Sequence, residues 1–146
     1  MFRIITFRDP ESWILFKPTK RVEAFDSKLK KFAEEMRKSL LFNDGLGLAA
    51  PQVNKNVAFC VVRMGKEAEY FCNPEIIKSS PEQEKMEEGC LSFPNVFLEV
   101  PRAKEIEIRY QDIAGNPKNL KASGILARTL QHEIDHLNGI SFVERA

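Results

Sequence analysis

The chain has 146 residues, the size of one domain and enough to bury a core without disulfides. With 22 basic and 21 acidic residues its formal charge is +1, so no field of one sign favours nucleic acid or an anionic membrane surface. The longest wholly apolar run, residues 57–62, is far too short to cross a bilayer as a helix. The N-terminal MFRIITFRDPES meets charge too early for a secretory signal, so a soluble, cytoplasmic protein is expected.

In chain order, DSKLKKFAEEMRKSLLFND (26–44) predicts a helix, with Asp26 as N-cap and Leu29, Phe32, Met36 and Leu40 at helical spacing. An apolar, glycine-broken stretch follows, GLGLAAPQ (45–52). Residues 57–63 and 69–73 predict strands joined across MGKEA, and KEIEIRY (104–110) predicts another, with Ile106, Ile108 and Tyr110 alternating with charges. GNPK marks a turn. Ser123 is placed to cap a last helix, Gly139 suits the position just past its end, and GISFVERA (139–146) is expected to add a final strand. Early helix, several strands and late helix predict an α+β fold: mostly antiparallel sheets packed around a buried C-terminal helix carrying HEIDH, in a single domain over 1–146.

Three cysteines without close spacing make a poor disulfide framework. Cys60 and Cys72 sit in strand-like apolar stretches and read as core. Cys90, between Gly89 and Leu91 at the edge of a likely strand, reads by itself as another small buried hydrophobe.

The only two histidines lie in the last helix, in QHEIDH (131–136). At ~100° per residue, His132 and His136 leave the helix about 40° apart. Leu126, Leu130, Ile134 and Leu137 fall on the opposite side, Glu133 and Asp135 flank the histidines, and Ile125 and Thr129 lie above them. The HExxH spacing is that of zinc sites in which the glutamate acts as general base. An amphipathic helix with charged pairs has the same pattern. Two ligands do not hold a catalytic metal, and with no third histidine the next must be a carboxylate or a cysteine; a thiolate at Cys90 is suitable.

GLGLAAPQ (45–52), EGCLS (88–92) and QHEIDH (131–136), in this order and at these separations, closely resemble the three signature motifs of the peptide deformylases. The first is Gly-apolar-Gly-apolar-Ala-Ala-any-Gln, and every defined position is matched. The resemblance runs from about residue 26 to 143. It departs at RDPESWILFKPTKRVEAF, which lacks the family's leucine-arginine pattern after the early proline. It departs again at VERA, where many members carry a further C-terminal helix.

The resemblance implies a metallohydrolase that removes the N-formyl group from the initiator methionine of new proteins, with formate released by attack of a metal-bound water. It implies Cys90, His132 and His136 as ligands, Glu133 as the group that moves the proton, and Gln52 with the Leu91 N–H as oxyanion donors. One divalent ion is expected: Fe(II) by resemblance, with zinc, nickel or cobalt allowed by the donor set. Gly45, Leu46 and Gly47 are candidates for substrate contact, and Ile125, Thr129 and Leu91 for the walls of a methionine pocket. Glu88 is the first candidate to brace a histidine, with Arg102 as its charge partner; Gln131 and Asp135 are further candidates. The expected partners are nascent formylated polypeptides, at the ribosome or after it, met by a monomer without nucleic-acid or membrane binding. Two rivals share some of these residues. An HExxH endopeptidase needs a long open cleft, and a metal-stabilised binding module needs four protein ligands and no Glu133.

Overall fold

Helix α1, Ser27–Phe42, begins where the chain supplies a cap: the Asp26 carboxylate accepts from the Leu29 N–H at 3.0 Å. This computed structural model covers residues 1–146. Leu29, Met36 and Leu40 turn inward as their spacing predicts, with Ala33 between them.

Three strands follow α1: β1 (Gly47–Ala49), β2 (Phe59–Met64) and β3 (Glu67–Ser79). β4 (Gln83–Cys90) and β5 (Phe93–Ala103) come next, then β6 (Glu105–Gln111) and β7 (Pro117–Ser123). Five of them form an antiparallel sheet in the order β1-β2-β3-β6-β7, and β4 and β5 form a separate hairpin. The β2–β3 turn is tight, and Gly65 takes the positive φ (66°) that it requires. β3 runs well past the expected 69–73, because its second half finds a partner in β6, Ile76 opposite Ile108.

Alternation along the strands feeds two cores. Leu48, Phe59, Val61 and Cys72 face α1. Ala49, Cys60, Val62 and Phe71 face the last helix, α2 (Gly124–Leu137), which contributes Ala127, Leu130, Ile134 and Leu137. Leu126 packs at the margin of the same core. Cys60 and Cys72 are core residues: burial pushes the Cys60 thiol far up and the Cys72 thiol to about 12.

Two expectations are corrected at the ends of α2. Ser123 holds the N-cap position, but its side chain makes no capping hydrogen bond. The tail is no strand: Phe142–Arg145 form one 3-10 turn. Phe142 is buried against Phe93 and Val100, while residues 143–146 are all exposed, so no second inward position follows to define a strand face. Gly139 behaves as expected. Its φ is +77°, and the bonds Gly139 N–H to His136 O (3.1 Å) and Ile140 N–H to Asp135 O (2.9 Å) close a Schellman motif. A Cβ there would lie 2.9 Å from the Lys17 backbone, and Thr19 binds the Leu137 carbonyl through both N–H (2.9 Å) and hydroxyl (2.8 Å).

Candidate metal centre and cleft

α2 turns both imidazoles toward the end of β4, where Cys90 stands. The Cys90 Sγ lies 3.3 Å from His136 Nε2, and one donor atom each from Cys90, His132 and His136 lies within 4.8 Å of the other two. Glu88 Oε1 binds His132 Nδ1 at 2.9 Å. With Nδ1 donating, Nε2 keeps its lone pair, the form a metal ligand needs.

The electrostatics of the two rings differ. Burial pulls the His132 pKa down, but its Cys90 and Glu88 partners outweigh it and push it up to about 10. Burial holds His136 far below the ordinary value, with the neighbouring His132 adding to the effect. Two imidazoles and a thiolate with their donor atoms within 4.8 Å of one another are a donor set for a divalent cation, so the residues fit a metal ion.

Behind the candidate ligands runs a chain of ion pairs, buried except at Arg145. Arg102 clasps Glu88 with Nε (2.9 Å) and Nη2 (3.0 Å), and Arg128 Nη1 reaches the same carboxylate at 2.6 Å. Burial opposes the charge on Glu88, but hydrogen bonds from His132 and Arg102 prevail and hold its pKa at about 2. Arg102 Nη1 also binds Asp135 at 2.6 Å, and Arg145 forks onto Asp135 at 3.1 and 3.0 Å. Glu88, Arg102 and Asp135 are therefore together. Gln131 is elsewhere, clamping the Ala103 N–H and C=O of β5. Arg128 was not foreseen, although it lies one helical turn before His132 on the wheel. Arg145 gave no local signal.

Glu133 is buried and leans on Gly47. A Cβ at 47 would stand 2.6 Å from Glu133 Oε2, so glycine here makes room for the carboxylate. Burial pushes the Glu133 pKa up to about 7, and its Oε1 has no hydrogen-bond partner. Gln52 sits in the 3-10 turn Ala50–Val53. Its Oε1 accepts from the Ala49 N–H at 3.0 Å, and its Nε2 lies 3.1 Å from Ser92 Oγ and 3.6 Å from Cys90 Sγ. Ser92, fully buried, is a further residue that the sequence reading passed over.

A cleft of about 450 Å³ opens over this group. Gly45, Leu46, Gly47, Leu91, Ile125 and Thr129 all line it, as do Gln52, Glu88, Cys90, His132 and Glu133; His136 and Arg102 lie behind its wall. Met86, Phe93 and Phe97 line it too and were not foreseen, because they belong to the hairpin. Phe97 covers Gly89, where a Cβ would come within 2.8 Å of its ring. Leu46 and Ile125 form an exposed apolar rim. The Thr129 hydroxyl is turned back onto the Ile125 carbonyl at 2.8 Å.

Known proteins resemble this chain over nearly its whole length. The family model described as polypeptide deformylase matches residues 1–146. A peptide deformylase of Thermotoga neapolitana is 43% identical over 99% of this chain and 87% of its own. One from Brucella suis is 40% identical over 97% and 82%. The crystal structure of the Thermotoga maritima peptide deformylase superposes with a TM-score of 0.94 at 44% identity, over 99% of this chain and 97% of that one. That of Synechococcus elongatus, in complex with actinonin, gives 0.94 at 39% identity, over 99% and 78%.

Proposed function

The chain belongs to the peptide deformylase family, and from that premise we propose the roles of its residues in removing the N-formyl group from the formylmethionine of new polypeptides. The observation that carries the reading is the convergence of Cys90, His132 and His136 beside Glu133 and Gln52 under one cleft. Cys90, His132 and His136 hold one divalent ion, Fe(II) in the working enzyme. When bound, it supplies a Lewis acid that polarises a carbonyl and brings the pKa of water from near 16 toward ~7.

The rest of the chemistry falls to the chain. Glu133, with its pKa near 7, takes a proton from the attacking water and returns it to the departing amine. The products are formate and a free N-terminal amine. Gln52 spends one amide hydrogen on Ser92, and its other points toward Cys90, where the oxyanion forms. The Leu91 N–H is the second donor. Gly45, Leu46 and Gly47 line one side of an extended peptide. Leu91, Ile125 and Thr129 wall the pocket that receives the methionine side chain. Glu88 and Arg102 fix the tautomer and direction of His132.

The whole chain acts as one catalytic domain. It works as a cytoplasmic monomer on nascent formylated chains, at the ribosome or free of it, without contacting nucleic acid. No helix is long and apolar enough to cross a membrane.

Formate release from formyl-Met-Ala-Ser tests the reading, with protein purified without oxygen and loaded with Fe(II). Rapid release, loss of activity in air and slower turnover with zinc are expected. No release from protein holding one equivalent of metal would overturn it.

A further inference from the structure

The 3-10 turn at Phe142–Arg145 touches the metal-site helix at two points that the proposed mechanism leaves unused. The Phe142 ring lies 5.7 Å from the His132 ring at 30° and is almost wholly buried. Arg145 grips both oxygens of Asp135, which stands three residues after His132 and one before His136.

We propose that Arg145 is a positioning residue for His132, acting through Asp135, Arg102 and Glu88. This rests on the reading of His132 as a metal ligand. The links are continuous: Arg145 to Asp135 at 3.1 and 3.0 Å, Asp135 to Arg102 at 2.6 Å, Arg102 to Glu88 at 2.9 and 3.0 Å, and Glu88 to His132 Nδ1 at 2.9 Å. The fork fixes the plane of the Asp135 carboxylate, with Oδ2 accepting from Arg102 as well. Without it, Asp135 keeps one donor and gains freedom to rotate. Arg102 then loses a fixed anchor on the side away from Glu88.

A plain surface ion pair is the competing account, since the Arg145 side chain is 48% exposed. Such pairs contribute little to stability. Its partner is not a surface group, however: the Asp135 side chain is 12% exposed and shared with an Arg102 that is 4% exposed. Both accounts leave stability nearly unchanged, so metal binding separates them. Arg128 also holds Glu88, so the brace on His132 is only partly lost without Arg145. The expected loss is about 3- to 10-fold in metal affinity, below the 10- to 100-fold typical of a group bonded directly to a ligand.

The test compares the full chain with Arg145→Ala, Arg145→Lys, Asp135→Asn and the double variant Arg145→Ala with Asp135→Asn. Co(II) affinity is measured by chelator competition, the visible spectrum of the Co(II) protein is recorded, and the metal-free protein is melted. Arg145→Ala is expected to weaken Co(II) binding about 3- to 10-fold and to shift the visible bands, with the metal-free Tm close to the parent's. Arg145→Lys, with a single donor, should fall between. In the Asp135→Asn background, Arg145→Ala should add nothing. Parental affinity and spectrum in Arg145→Ala would overturn the proposal, as would a full additional loss in the double variant. A parent chain that fails to take up Co(II) would instead overturn the metal reading beneath it.

Discussion

The two faces of α2 solve opposite problems. One lays Ala127, Leu130, Ile134 and Leu137 against the sheet, where every buried methylene contributes to stability. The other buries Arg128, His132, Glu133, Asp135 and His136, groups that water would hold at lower free energy. Arg128 and Asp135 are paired while Glu133 is not, and a buried ion network is weak evidence of net stabilisation. What it secures is direction: Glu88 fixes the His132 ring, Arg102 fixes the Asp135 carboxylate, and Gly47 leaves the room that Glu133 occupies. In this helix the apolar face keeps the fold and the polar face keeps the geometry.

That division can be broken experimentally. The largest effect is expected from Glu133→Ala, which should cut kcat/KM by ~10²–10⁴. Because the carboxylate is buried with an unpartnered oxygen, the metal-free Tm should hold or rise. A cooperative loss of fold would show that the polar face supports the fold after all. Glu88→Gln probes the boundary between the faces. It leaves Arg128 buried without its anion and Arg102 with Asp135 alone, which costs ~3–5 kcal/mol, measurable by urea unfolding. It should also remove a pH dependence. The folded carboxylate titrates at about 2 against an ordinary 4.5, so its contribution is complete above 4.5 and disappears as pH falls toward 2. In the variant, stability over that window should be flatter.

Leu130→Ala belongs to the other face. It should cost ~2–5 kcal/mol in unfolding while the folded fraction keeps its kcat. A fall in kcat without loss of stability would reverse the assignment. The smallest effect is expected from Gly47→Ala, whose new methyl must displace the Glu133 carboxylate from 2.6 Å. A drop of about tenfold in kcat, with metal affinity unchanged, is the outcome that fits a displaced proton carrier.

Much of this was legible in the sequence because it is local. The helix wheel alone put His132 and His136 on one side and Leu130 and Ile134 on the other. The Asp26 cap and the Gly139 stop follow from residue type at one position. Beyond a strand edge at Cys90, the β4–β5 hairpin was not legible: Gly89, Pro94 and Pro101 interrupt its alternation, and charges occupy much of β4. With the hairpin went Met86, Phe93 and Phe97. Arg128 and Arg145 were missed for a different reason. Glu88 and Arg128 are 40 residues apart in the chain, and an ion pair at that separation leaves no period to read. Gly47 was expected to contact substrate; a Cβ there would first meet the Glu133 side chain, a contact that only the tertiary structure brings about.

The seat of Gly139 against Lys17, with Thr19 tied to the Leu137 carbonyl, bears on the order in which the molecule matures. These contacts join stretches 118 residues apart, so closing them costs loop entropy that local helix and hairpin formation does not. The end of α2 locks only when residues 17–19 and 137–139 are both available. During synthesis α1 and the β2–β3 hairpin have the chance to form early, but the ligand set cannot. The helix that carries both histidines is therefore seated only after residues 137–139 have been made and have met residues 17–19.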